Sequence, residues 1–140
     1  MKPSVVAALL GLCALASAGC GKKDQPNYGD QVARALQEGK ASGARGDLQS
    51  LAVAITSYVT NEEGIPVASN IDELAARLEP GYLNRVPRVD PWGTPYAFSQ
   101  DGSSYKLACA GVDKAFGTAD DMEMVDGQVT KMPASYTRFQ

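Results

Sequence analysis

A short acidic segment holds the residues of this sequence that are best suited to chemistry. AGVDKAFGTADD, residues 110–121, contains Asp113, Asp120 and Asp121 but only one lysine, Lys114. Carboxylates at such spacing repel one another unless water, a base or a cation lies between them. Their oxygens are hard donors, which suit Ca²⁺ far better than softer metals. The segment therefore predicts either a calcium-binding loop or a solvated acidic turn without a metal.

The composition argues against zinc and against the common catalytic arrangements. The sequence has no histidine and three cysteines, so zinc ligands are scarce and no histidine base is present to activate a nucleophile. The acidic spacing also departs from an EF-hand, which needs donors at alternate positions and a final glutamate. Adjacent Asp120 and Asp121 differ from glycosidase carboxylates, which lie about 5–9.5 Å apart across a cleft. We therefore expect no catalytic activity and no small-molecule substrate.

The charge balance bounds the class of partner. The chain of 140 residues carries 13 Lys or Arg and 16 Asp or Glu, a formal net charge of −3. The length suits a single domain. A mildly acidic chain argues against a nucleic-acid partner.

The first residues are typical of an export signal. Residues 1–19 begin with a positive end and continue as the uncharged run SVVAALLGLCALASAG, which is shorter than the roughly 20 residues that a membrane-spanning helix needs. The segment Leu15–Cys20 resembles the lipobox of bacterial lipoproteins, in which the cysteine becomes the lipidated first residue. The sequence therefore predicts a lipoprotein acylated on Cys20. The alternative is cleavage after Ala18, which would release a soluble protein.

Lipidation would attach the protein to a membrane of the cell envelope. Each buried CH₂ of an acyl chain contributes about 0.8 kcal/mol to this attachment. Gly21 follows Cys20, and by resemblance to enterobacterial lipoproteins the lack of an aspartate there favours the outer membrane, on the side facing the periplasm. Residues 20–31 are polar and aperiodic and indicate the lipidated cysteine and a flexible tether. We expect a domain over residues 32–132 and a C-terminal tail over residues 133–140.

Two helices are predicted at the start of the domain. Residues 47–61 form the clearer one, and the part from residue 32 onward has a helical pattern that three glycines weaken. Asn70 and Glu73 form a capping-box pattern before a second, short helix. The apolar face of the first helix is made by Leu48, Leu51, Ile55, Tyr58 and Val59.

The second half of the domain has the pattern of a small sheet. Asp90, Pro91, Trp92 and Gly93 indicate a tight structural turn with Trp92 packed into the core. Two apolar runs flank Asp101-Gly102, and two more flank Asp126-Gly127, so each pair predicts a β-hairpin. Helices followed by an antiparallel sheet make the expected fold class α+β.

One cysteine of the predicted domain lies within an apolar strand pattern. Cys109 is expected to be a small buried thiol. If Cys20 were not acylated, the two cysteines could instead form a disulfide in an oxidising compartment.

Several of these segments together resemble one family. The order of SYVTNEEGIP, a short helix, PGYLNRVPRVDPWGTPYAFS and LACAGVDKAFGTADD is similar to the periplasmic domain of the major (G-type) pseudopilin of bacterial type II secretion systems. The most specific piece is DPWGTPY, which matches the turn of that family without a gap. The resemblance runs from about residue 46 to residue 122.

The resemblance implies a fold, a metal and a role. It implies a helix and a short second helix packed on a small antiparallel sheet, with a structural Ca²⁺ in the acidic loop. The ligands would be side-chain oxygens of Asp113, Asp120 and Asp121 and the backbone carbonyl of Ala110. It also implies a structural or binding role in or alongside protein secretion, with secretion-system or other envelope proteins as partners.

Two departures from the family pattern leave alternatives open. A lipoprotein-type signal stands where the family has a basic leader and an apolar anchoring helix, and Ala108-Cys109-Ala110-Gly111 replaces the Ser-x-Gly before the loop. The alternative functions are an envelope binding module unrelated to secretion and, less favoured, an envelope enzyme.

Overall fold

The computed structural model describes residues 27–133. The predicted export signal, Cys20, most of the predicted tether and the tail beyond Pro133 lie outside the described residues. In chain order the elements are helices α1 (Tyr28–Glu62) and α2 (Ile71–Leu78) and strands β1 (Ala97–Gln100), β2 (Tyr105–Cys109), β3 (Met122–Val125) and β4 (Gln128–Lys131). The predicted α+β class is confirmed.

Helix α1 begins earlier than the sequence pattern indicates. Its N-cap is Asn27, whose side-chain oxygen accepts the backbone N–H of Gly29 at 3.3 Å. Asp30 lies in the first turn, where a negative charge is favourable beside the helix dipole. The helix therefore starts inside the segment that was expected to be a flexible tether.

The glycines of α1 do not interrupt the helix. Gly43 lies beside the turn, where a Cβ built on it would be 3.6 Å from Cγ of Pro91, an ordinary van der Waals distance. Gly39 and Gly46 meet nothing within 4 Å. None of the three is required by a close approach, so each lowers the stability of the helix without a packing compensation.

The apolar face predicted for α1 packs on the core. Leu48, Leu51 and Ile55 are buried, and Tyr58 and Val59 are half-buried against the same cluster. No side chain of α1 before Ala41 is buried. At 1.5 Å per residue, the first part of the helix extends for roughly 20 Å before its first buried side chain. Within residues 27–133, neither helix has the length and apolar character that a membrane span requires.

Helix α2 uses its cap as predicted, with one difference. The side chain of Asn70 accepts the backbone N–H of Glu73 at 2.9 Å. The carboxylate of Glu73 reaches back to the N–H of Ser69, at 2.7 Å, and not to that of Asn70. The face of α2 that is buried in the core consists of Ile71, Leu74, Ala75 and Leu78.

The four strands form an antiparallel sheet in the order β1-β2-β3-β4. Both predicted hairpins are confirmed, β1 with β2 and β3 with β4. In the register of the sheet Phe98 pairs with Leu107, and Leu107 pairs with Met124. All three side chains are buried, so they form an apolar row across the sheet. Helix α1 contacts β2, and α2 contacts both α1 and β1.

Candidate functional site

The acidic segment is the loop between β2 and β3. Cys109 and Met122 are register partners in these strands, so the sheet fixes both ends of residues 110–121. Ala110 and Gly111, at the start of the loop, are buried, whereas most of the loop is exposed. The loop thus closes a hairpin whose two strands set its ends.

Asp121 is the buried carboxylate of the loop, with a relative exposure of 1%. Its Oδ2 accepts the backbone N–H groups of Gly117 at 2.8 Å and Thr118 at 3.1 Å. The ammonium of Lys131, on β4, lies 3.1 Å from the same oxygen. Lys131 also donates to the carbonyl oxygen of Thr118. One positive charge therefore lies between a buried carboxylate and a backbone carbonyl.

Asp120 faces a different set of donors. Its Oδ1 accepts the hydroxyl of Thr118 at 2.6 Å, and its Oδ2 accepts the backbone N–H of Asp113 at 3.0 Å. The hydroxyl of Thr118, and after it the backbone N–H groups, lower the pKa of the Asp120 carboxyl below its ordinary value. Hydrogen bonds of this kind stabilise the ionised form, so Asp120 is a carboxylate at neutral pH.

Asp113 stays apart from the other two side chains. It is exposed, and its Oδ1 accepts the backbone N–H of Ala115 at 2.9 Å, which closes a local turn. The backbone of Asp113, and not its side chain, is what contacts Asp120. The structure joins Asp120 and Asp121 through the Thr118 hydroxyl, at 2.6 and 3.3 Å, and leaves the Asp113 carboxylate outside this contact.

Gly111 lets the two ends of the loop approach each other. Its φ is +74°, and a Cβ built there would lie 2.4 Å from the backbone oxygen of Asp120 and 2.7 Å from its Oδ2. Any side chain at this position would collide with Asp120. The glycine of the ACAG segment is therefore required for this closure.

The donors of the loop suit a hard cation in their chemistry, but the three carboxylates do not form one ligand group. Among the residues that the structure describes, no three His, Cys, Asp or Glu side chains are grouped so as to hold a metal ion. Two oxygens do converge on a positive charge, because the ammonium of Lys131 contacts both Asp121 and the Thr118 carbonyl. The Lys131 ammonium therefore occupies the position in the loop where a positive charge is stabilised.

The turn at Asp90, Pro91, Trp92 and Gly93 is built around a second buried carboxylate. Oδ1 of Asp90 accepts the backbone N–H groups of Trp92 at 2.9 Å and Thr94 at 2.8 Å. Asp90 is 4% exposed and Trp92 is 8% exposed, so both belong to the core. Gly93, with φ +92°, takes the left-handed conformation that closes the turn.

This turn is tied to α1 and to β2 by side-chain hydrogen bonds. Nε1 of Trp92 donates to Oε1 of Gln37 at 2.7 Å, and the hydroxyl of Tyr96 donates to Oδ2 of Asp47 at 2.7 Å. The Cys109 thiol donates to Oδ2 of Asp90 at 3.3 Å. The turn therefore connects helix and sheet in the middle of the domain.

Cys109 is fully buried and not disulfide-bonded in this structure. Burial raises the pKa of its thiol to about 12, and the neighbouring Asp90 carboxylate adds to the effect. The thiol is thus protonated at neutral pH and a poor nucleophile. The expectation of a small buried thiol is confirmed.

Lys131 is the residue of this site that the sequence analysis missed. It stands at the end of a short strand, ten residues after Asp121 in the chain. The sequence did contain one indication of this contact. A hairpin that turns at Asp126-Gly127 brings Lys131 back toward the end of the acidic loop. The register shift between Glu123 and Met124 made that position difficult to predict.

Comparison with known proteins identifies a family. Residues 31–128 match the family model described as type II secretion system (T2SS), protein G. A search of curated proteins and a search of solved structures each found no match.

Proposed function

Because this chain belongs to the family of type II secretion system protein G, we propose that it is a non-catalytic structural or binding subunit in or alongside type II secretion. Family membership, over 31–128 of 140 residues, is the observation that carries the proposal. Its partners would be other proteins of the secretion system. A binding module unrelated to secretion is the competing function.

The chemistry of the described groups agrees with a role without catalysis. The Cys109 thiol is buried with a raised pKa. Asp120 and Asp121 are already hydrogen-bonded to backbone N–H groups and to Thr118. Hydrogen bonds of this kind serve to hold a loop in place.

Deleting the gene in a bacterium with a type II system tests this proposal. We expect the secreted substrates of that system to remain in the periplasm, and a plasmid copy of the gene to restore their release. A periplasmic marker enzyme assayed in the medium controls for leakage. Unchanged secretion in the deletion strain would favour the unrelated binding module.

We further propose that Cys20 carries the lipid that anchors the protein to the outer membrane, facing the periplasm. The support is the sequence, in which a small-residue segment ends at Cys20 and Gly21 follows. Residues 21–27 would span at most about 25 Å between the lipid and α1. The anchor would therefore hold the domain close to the membrane surface.

We also propose that the acidic loop takes a structural Ca²⁺. The residues that would hold it are Asp113, Asp120 and Asp121 with the Ala110 carbonyl, and hard oxygens are the ligands that Ca²⁺ prefers. When bound, the ion would neutralise the carboxylates and fix the loop on the sheet. Sites in extracellular modules bind calcium with dissociation constants of about 10⁻⁴–10⁻³ M, so millimolar concentrations are needed in the test.

Thermal melting of the full chain in excess calcium and in EGTA checks this site. A tenfold excess over the dissociation constant stabilises the native state by about 1.4 kcal/mol, which corresponds to a rise in Tm of roughly 5 °C. Asp113→Ala is expected to remove most of this rise. Asp101→Ala, in the exposed β1–β2 turn, is the control and should keep it. An identical Tm in calcium and EGTA for the wild type would rule the site out.

A further inference from the structure

A lysine from another strand supplies a positive charge to the acidic loop. The ammonium of Lys131 lies 3.1 Å from Oδ2 of Asp121 and donates to the carbonyl oxygen of Thr118. The side chain of Asp121 is 1% exposed, whereas that of Lys131 is 34% exposed. The lysine thus reaches from the partly exposed β4 into the buried base of the loop.

The buried Asp121 needs this charge. Asp121 also accepts hydrogen bonds from uncharged donors, which include the backbone N–H groups of Gly117 and Thr118 and the Thr118 hydroxyl. A carboxylate taken out of water is costly unless a cation compensates for it. Lys114, the loop's own lysine, is exposed, and among the described residues the ion pair of Asp121 is with Lys131.

A calcium ion and this ammonium would both need the carboxylate of Asp121. Ca²⁺ binds carboxylate and carbonyl oxygens at about 2.3–2.6 Å, and two positive charges at such close range repel each other strongly. Asp121 is one of the proposed calcium ligands, and its Oδ2 already lies 3.1 Å from the Lys131 ammonium. The loop therefore has room for one cation at this position.

We propose that Lys131 is the built-in counter-cation of the acidic loop, which holds the loop without metal and competes with Ca²⁺ for Asp121. The competition rests on the proposed calcium site, whereas the role of Lys131 in the metal-free loop does not. In this chain the loop would keep its closed form in both states. Calcium would then contribute less to the stability of the protein than it would in a loop whose three carboxylates had no counter-cation.

Lys131→Met in the full chain, melted in EGTA, tests the counter-cation. The matched control is Lys106→Met, because Lys106 pairs with Glu123 at 2.8 Å but both side chains are partly exposed, 44% and 23%. We expect Lys131→Met to lower Tm by on the order of 10 °C, since it leaves a buried carboxylate unpaired. Lys106→Met should lower it by only a few degrees. Equal, small losses in the two variants would overturn the proposal.

The same variants melted in excess calcium test the competition. We expect calcium to raise the Tm of Lys131→Met more than that of the wild type, because the ion then fills a position that the ammonium has vacated. Equal, non-zero rises would overturn the competition. No rise in either protein would overturn the competition and the proposed calcium site together, while the loss measured in EGTA still decides the role of Lys131.

Two further variants keep the test informative if Lys131→Met does not fold. Lys131→Arg retains the charge and should melt close to the wild type in EGTA. The double variant Asp121→Asn, Lys131→Met removes both charges, and the side-chain oxygen of the introduced amide can still accept the two backbone N–H groups. Its Tm should lie above that of Lys131→Met, because no unpaired buried charge remains. A double variant less stable than the single one would contradict the proposal.

Discussion

Replacing Asp90 with alanine is expected to lower the free energy of unfolding by about 3 kcal/mol, because one buried and one partly buried backbone N–H group lose their acceptor. Those groups belong to Trp92 and Thr94, and they point at one oxygen of a carboxylate that is 4% exposed. The Cys109 thiol loses its partner as well. Domains are stable by only about 5–15 kcal/mol, so the loss is a large part of the total.

Urea denaturation measures this loss, and the chain offers a matched control. Asp101 also accepts two backbone N–H groups through one oxygen, from Ser103 and Ser104 at 2.9 and 2.8 Å, but its turn is exposed. Water can replace Asp101 as acceptor, so Asp101→Ala should cost much less than Asp90→Ala. Asp90→Asn retains an acceptor oxygen and should recover most of the stability. If Asp90→Ala and Asp101→Ala unfold at the same urea concentration, the buried hydrogen bonds of Asp90 do not stabilise the domain more than the exposed ones of Asp101.

Replacing Cys20 with alanine is expected to abolish incorporation of a palmitate analogue in growing cells. The proposed acyl chains have no other attachment point, and stable anchoring requires more than one chain or a second signal. Labelling of Cys20→Ala should fall to the background level. The measurement is fluorescence of the labelled band after immunoprecipitation, normalised to the amount of protein.

The other cysteines provide the controls for the lipid experiment. Cys109→Ala should be labelled like the wild type, because the Cys109 thiol is buried in the core. Cys13 lies within the predicted signal, so Cys13→Ala should also be labelled normally. Equal labelling of Cys20→Ala and wild type would refute acylation at Cys20. An unlabelled wild type found in the soluble fraction would favour cleavage after Ala18.

Local sequence signals were sufficient for the helices and hairpins of this domain. Asn70 and Glu73 lie three residues apart, and each hairpin is turned by an adjacent Asp-Gly pair, so the information for these elements is contained within a few residues. The apolar face around Leu51 was visible for the same reason. These segments also agree with the tertiary structure, since each places its apolar side chains in one core.

The contacts that hold the site together were not predictable in this way. Lys131 meets Asp121 only because β4 pairs with β3 across an irregular register. The contact of the Cys109 thiol with Asp90 forms only because the sheet brings the two residues together. The start of α1 at Tyr28 was not predicted because the residues up to 31 are polar and show no helical periodicity. In the first two cases the decisive contact joins segments that are far apart in the chain, which a local pattern cannot relate to each other.

The continuity of α1 has a mechanical consequence. No turn or loop interrupts the chain between Tyr28 and Glu62, and the core buries side chains of this helix only from Ala41 onward. The helical turns before Ala41 therefore form a rigid extension of the domain core. A force or torque applied near Tyr28 would be transmitted through the helix to the sheet. The orientation of the domain core would therefore follow the direction in which the N-terminal end of α1 is held.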